Sequence, residues 1–286
     1  GNGMSRRAYV SAEIFDGESL HQDKALLVEG DVIRGSCGAD DLPPGYDGVE
    51  MVGGTIMPGF VDLQVNGGGG VMFNDETSLD GLVTIAEAHA KTGTRALLPT
   101  LITDTPERTQ AAVEAVSRAI EANVPGIVGI HLEGPHLSIA RKGAHDPSLI
   151  RRMEQEDEDF LLAAAGRLPN VMVTVAPESV TPAQIKRLSQ AGVIVSLGHT
   201  DCGLDDALTA FDAGARCVTH LFNAMSQMGN REPGLVGATL RAPTVSAGLI
   251  ADDIHVHAAS MQIALDAKQG PGEIFLVTDA MSTVGS

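Results

Sequence analysis

The sequence predicts an α/β protein organised as a (β/α)8 barrel that follows a small sheet region. Three observations lead there. Residues 8–56 are short alternating apolar pieces divided by turn signals, as in paired strands. Beyond them, short apolar runs alternate with helical stretches, the rhythm of strand–helix units. Most of those runs end in ionisable or amide side chains, and barrel chemistry is assembled at the C-terminal ends of strands.

The opening pieces "AYVSAEIFDG", "HQDKALLVEGDVI" and "GVEMVGGTIMPG" read as antiparallel strands with turns at "DG" and "EGD". So few strands would be marginal alone. The later runs are "IMPGFVDLQV", "TRALLPT", "GIVGIHLEG", "VMVTVAPE", "VIVSLGHT", "ARCVTHLFN", "VSAGLIAD" and "EIFLVTDA". Helices are expected near 79–92, 105–122, 154–167, 181–191, 203–213 and 258–268. "TDTPERT" and "SVTPAQ" place Thr before Pro, a helix start, while "HAKTG", "LSQAG" and "FDAG" stop helices at glycine. An open doubly wound sheet is the rival topology, but no G-x-G-x-x-G follows the first strand, so a dinucleotide site has no support.

Of 286 residues, 37 are acidic and 19 basic, a formal charge of −18. That field disfavours nucleic acid and anionic membranes as partners, though a few local cations could still hold a small anion. Cys37, Cys202 and Cys217 follow no pairing or zinc-ribbon spacing, so a reducing, cytoplasmic setting is expected. Neither a signal peptide nor an uninterrupted apolar 18-mer is recognised.

"PGFVDLQVNGGGG" places Asp62, Gln64 and Asn66 in alternation with apolar residues, so the three share one side of a strand. An x-His-x-His pair there would suggest a metal; Gln64 and Asn66 stand instead. "GIHLEGPH" puts His131 and Glu133 on one side of the third run, where one could bind metal while the other packs. "VSLGHT" and "CVTHLFNAM" deliver His199 and His220 at consecutive run ends, and Glu178 ends another. Two imidazoles and a carboxylate are a zinc-type ligand set with a position left for water. Asp279, ending "FLVTDA", could take a proton from that water and pass it to a leaving group.

With these residues in view, the chain closely resembles the N-acetylglucosamine-6-phosphate deacetylases of the amidohydrolase superfamily. The resemblance is carried by "PGFVDLQVNGGGG", "GIHLEGPHLSIARKGAH", "VAPE", "SLGHT", "THLFNAM", "REPGLVGA", "IADDIHVH" and "LVTDA", in family order and over nearly the whole chain from residue 57. It implies a barrel of the metal-dependent hydrolase type over 57–286, and a small β-sandwich domain to which 1–56 contribute. It also implies further chain beyond Ser286, which lies seven residues past Asp279. The ligands implied are Glu133, His199 and His220, holding one divalent ion per subunit, expected to be zinc. Asp279 matches the catalytic aspartate, and His145 a substrate-binding histidine near the reacting amide. Asn223 and Ala224 match sugar-phosphate contacts. Arg231 and His255 match a phosphate-binding pair, Arg231 reaching into the neighbouring subunit of a homodimer.

Gln64 and Asn66 match the branch of the family without a second metal, with Gln64 expected to orient water or substrate. Residues 67–70 would then be a side-chain-free wall beside the substrate. His136 is expected at a surface or in a loop, and His257 in a structural role. The implied reaction is hydrolysis of N-acetyl-D-glucosamine 6-phosphate to D-glucosamine 6-phosphate and acetate. The galactosamine epimer, or another N-acyl amino-sugar phosphate, is the alternative substrate, and a non-catalytic phosphosugar-binding protein the competing class.

Overall fold

The structure is a computed structural model describing residues 6–15, 20–29, 32–38, 44, 47–50, 55–57, 61–91, 94, 96–250, 256–270 and 274–277. Three strands open the chain: β1 (Arg6–Phe15), β2 (Leu20–Glu29) and β3 (Val32–Gly38), joined as antiparallel neighbours. The third opening piece differs from the expected antiparallel pairing. It forms two short strands, β4 (Asp47–Glu50) and β5 (Thr55–Met57), and both run parallel to β1. Alternation marks a half-buried strand but carries no information about direction, which the connections decide.

The strands that position the site are β6 (Val61–Val65), β9 (Ala96–Ile102), β10 (Ile130–Glu133), β11 (Val171–Val175), β12 (Ile194–Leu197), β13 (Cys217–Val218), β14 (Ser246–Ile250) and β15 (Ile274–Val277). Each pairs in parallel with the next in that order. The result is a parallel sheet curled toward a barrel. β15 comes into contact with β6, but its ladder partner is β5, and no β6–β15 ladder occurs among the described residues. Among the described residues, closure by hydrogen bonding, part of the eightfold barrel expected, is therefore incomplete.

Between the strands lie α1 (Leu79–Ala90), α2 (Pro106–Glu121), α3 (Gln155–Arg167), α4 (Pro182–Gln190), α5 (Leu204–Ala213), α6 (Gly234–Arg241) and α7 (Ala258–Ala267). Six match the expected helices to within a residue or two. Thr105 and Thr181 cap α2 and α4 by accepting from Arg108 N and Gln184 N, each with proline at the first helical position. Helix α6 lies outside the expected helices; all but its last residue are buried, and the two glycines of "GLVGATLR" argue against a helix. One core fills the space between sheet and helices, drawing on Leu101, Ile130, Val173, Val195, Leu235 and Leu249.

The four glycines have a local reason. Gly67–Gly68 (β7) pairs with Val71–Met72 (β8) in a hairpin, with Gly69 and Gly70 at φ +60° and +84° in its turn. A Cβ on Gly68 would fall 3.0 Å from the His89 ring, and one on Gly69 would fall 2.9 Å from Thr84 Cγ2. What these glycines accommodate here is close approach to α1.

Candidate metal centre and active site

Glu133 ends β10, only 3% exposed, and is the hub of the site. Its Oε1 lies 2.7 Å from His145 Nε2 and 3.1 Å from His199 Nε2. Its Oε2 accepts from Gln64 Nε2 at 2.5 Å and lies 3.8 Å from His220 Nε2. The His145 and His199 rings meet edge-on at 4.4 Å between centroids, and His199 and His220 at 5.0 Å. All three histidines are buried. Burial would raise the Glu133 carboxyl, but the hydrogen bond from His145 and the close His199 and His220 rings hold it well below the usual range. Burial pushes His220 down, against the pull of Glu133.

The backbone stores strain here. His199 and His220 sit at φ +45° and +34°, with Phe222 and Ala224 also left-handed at +78° and +54°. Each such non-glycine position costs on the order of 1 kcal/mol or more and persists only where its surroundings enforce it. The loop after β10 is one enforcer: Arg141 O faces His199 Nδ1 at 2.9 Å, and Ser138 N donates to His199 O at 3.0 Å. Gly143, at φ +56°, leaves room for the ring, since a Cβ there would come 3.3 Å from His199 Cε1.

Tautomers follow from these partners. A carbonyl only accepts, so His199 Nδ1 donates to Arg141 O, and His220 Nδ1 donates to Asn223 O at 3.0 Å. In the neutral rings both Nε2 lone pairs therefore face the Glu133 carboxylate, an arrangement that calls for a cation between them. For His145 the logic reverses. The backbone N–H of Thr103 only donates, and it points at His145 Nδ1 from 3.3 Å. His145 Nε2 thus carries the proton and donates to Glu133 Oε1. The ligand atoms of Glu133, His145 and His199 lie within 4.8 Å of one another, a buried cluster able to hold a divalent ion. Proximity favours His145 as third ligand, whereas the proton positions favour His220, because a protonated nitrogen cannot ligate. The spacing is of the size a divalent ion needs: ligand arms of about 2.0–2.1 Å in a tetrahedron give edges of about 3.4 Å, and His199 Nε2 lies 3.1 Å from Glu133 Oε1 while His220 Nε2 lies 3.8 Å from Oε2.

His131 settles the ambiguity of its pair with Glu133. Its Nδ1 donates to Leu63 O at 2.8 Å, and its Nε2 meets Thr174 Oγ1 at 2.7 Å. Thr174 Oγ1 and Ser196 Oγ each lie 2.7 Å from Thr219 Oγ1, so a buried polar chain crosses the sheet interior. His131 thus braces the sheet, and burial holds its pKa down. Glu178 binds Thr200 Oγ1 and Asp201 N, fixing the loop after β12.

Of the other expected site residues, Gln64 and Asn66 are buried, and Gln64 donates to Glu133. Ala224 lies in the strained turn after His220, and Asn223 Nδ2 is buried without a hydrogen-bond partner among the described residues. Arg231 is exposed on the loop before α6. Its neighbour Glu232 accepts from Leu204 N and Gly234 N, tying that loop to the starts of α5 and α6. His136 is in a loop as expected but is buried rather than at a surface, its Nδ1 donating to Arg151 O at 3.0 Å. His257 is structural, accepting from Ala259 N at the start of α7. Asp279 and His255 lie outside the described residues. Thr103, Asn74 and the Arg141 carbonyl escaped sequence reading, because nothing in a backbone carbonyl or a lone hydroxyl marks it in sequence.

The family model described as "Amidohydrolase family" matches residues 55–273, and the chain belongs to that family. It is 48% identical over 236 residues to an N-acetylgalactosamine-6-phosphate deacetylase of Shewanella sp. (strain ANA-3), covering 82% of this chain and 59% of that protein. It is 35% identical over 280 residues to the N-acetylglucosamine-6-phosphate deacetylase of Haemophilus influenzae, covering 98% and 72%. The chain thus spans under two thirds of the first relative and somewhat more of the second. Among solved structures, the N-acetylglucosamine-6-phosphate deacetylase of Pasteurella multocida superposes with a TM-score of 0.74 at 35% identity, covering 97% of this chain and 72% of that one. A helix long and apolar enough to cross a membrane is absent among the described residues.

Proposed function

We propose that this chain carries the catalytic centre of a metal-dependent deacetylase that hydrolyses the acetamide of N-acetyl-D-glucosamine 6-phosphate, giving D-glucosamine 6-phosphate and acetate. The observation that carries this reading is the pair of oriented imidazoles, His199 and His220, converging with Glu133 beside the donor His145. Glu133, His199 and His220 would hold one divalent ion, with zinc suited to a carboxylate and two imidazoles. When bound, that ion supplies Lewis acidity toward the amide carbonyl and toward a water.

The chain's own groups do the rest. Asp279 takes the proton of the attacking water and returns it to the departing amine. His145 donates through Nε2–H to the oxygen on which charge develops. Asn223 Nδ2, buried and unsatisfied at this site, meets the sugar phosphate together with the Ala224 backbone. Arg231, exposed on its loop, serves the phosphate of the neighbouring subunit's substrate in a homodimer, alongside His255. Gln64 donates to Glu133 and Asn66 is an amide, neither a good zinc ligand, which supports a single-ion site. The galactosamine epimer is a second reading, favoured by the 48% identity to a deacetylase of that sugar.

The test is acetate release from both 6-phosphates by full-length protein, metal-free and zinc-reloaded, with the unphosphorylated sugars as controls. Zinc-dependent release from the glucosamine compound, abolished by Asp279→Asn with metal retained, is expected. Release from neither sugar phosphate refutes the reading, a preference for the galactosamine compound selects the second one, and two tightly bound ions per chain would refute the one-metal site.

A further inference from the structure

His145 is poised as a donor only because its other nitrogen is denied a proton, and the group that denies it is Thr103. This residue follows β9 and is 6% exposed. Its backbone N–H points at His145 Nδ1 from 3.3 Å, and its Oγ1 lies 2.7 Å from the same nitrogen. With the N–H present, the hydroxyl also donates, and Nδ1 receives both.

Two independent features hold Thr103 in place. Asn74 grips the chain on either side of it: Nδ2 donates to Ile102 O at 3.1 Å and to Asp104 Oδ2 at 3.0 Å, while Oδ1 accepts from Ile102 N at 3.0 Å. Gly134 makes room, because a Cβ there would fall 2.1 Å from Thr103 Oγ1. Its φ of +84° suits glycine in any case. A side-chain clamp on both flanks and a space kept free for one hydroxyl exceed what packing at a strand end requires.

We propose that Thr103, clamped by Asn74, is a positioning residue that locks His145 in the Nε2–H tautomer, so that His145 presents a proton to the reacting oxygen. The tautomer is a property of the protein alone; its use on an oxygen rests on the deacetylase reading above. Because such a donor strengthens as charge develops, loss of the lock falls on kcat rather than KM.

The experiment has two arms on zinc-loaded, full-length protein. In the first, the histidine ring nitrogens are observed by 15N NMR, with His145→Asn identifying the His145 signals. The expected result is an unprotonated Nδ1 and a protonated Nε2; the opposite tautomer overturns the proposal. In the second, Thr103→Val and Thr103→Ser are compared. Valine keeps the backbone N–H but removes the hydroxyl, the closer of the two groups at Nδ1, and is expected to lower kcat about tenfold, with KM and zinc content close to wild type, and serine to recover most of the loss. An unchanged kcat in Thr103→Val, a loss confined to KM, or serine as defective as valine overturns it. If wild-type protein releases no acetate, the deacetylase reading fails while the NMR arm still decides the tautomer.

Discussion

Replacing Gln64 by leucine tests how the cluster holds its carboxylate. The side chain keeps its approximate volume but loses the Nε2 donor that reaches Glu133 Oε2 at 2.5 Å. Both residues are 3% exposed, so water cannot readily take the donor's place. A hydrogen bond to a buried charged group is worth about 1.5–3 kcal/mol. If that free energy falls on the ligand geometry, zinc binding weakens by about 10- to 150-fold. Competition against a chromophoric chelator of known affinity measures this directly, and urea unfolding of the metal-free proteins checks that the change lies in the site. A dissociation constant within twofold of wild type, at equal stoichiometry, would show that Gln64 does not support Glu133 and would refute the reasoning.

Three further outcomes are expected. His131→Leu deprives Leu63 O and Thr174 Oγ1 of their partner and should cost about 2–4 kcal/mol, read as a lower urea midpoint at unchanged m-value; a shift under about 0.5 kcal/mol contradicts its bracing role. Removing metal should lower Tm, since an ion at 100 times its Kd contributes about 2.7 kcal/mol, or roughly 5–10 °C for a domain of this size; calorimetry with and without chelator decides. Burial raises the Cys202 and Cys217 thiols to about 11. A folded-state pKa above the unfolded value means stability present below pH 9 is lost as pH climbs toward 11, roughly 2–3 kcal/mol per thiol. The fall in urea midpoint between pH 8 and 10.5 should therefore shrink in the Cys202→Ala/Cys217→Ala protein, and an unchanged fall argues against it.

Much of the fold was legible because its signals are local. Thr–Pro helix starts, glycine stops and short apolar runs depend on neighbours in the chain, and α2, α4 and the parallel strands appear where those signals stand. Helix α6 was not legible, since two of its eight residues are glycines, which argue against a helix. Nor was the direction of β4 and β5, which the path of the chain decides.

The same division runs through the site. Sequence alone determined which residue types stand at strand ends, and so that Glu133, His199 and His220 could meet, because the period of a strand and the order of strand–helix units already imply it. Which nitrogen of each histidine carries the proton was decided only by tertiary structure. The deciding groups are the Arg141 and Asn223 carbonyls and the Thr103 N–H, backbone atoms that every residue possesses and that acquire meaning only by where folding places them.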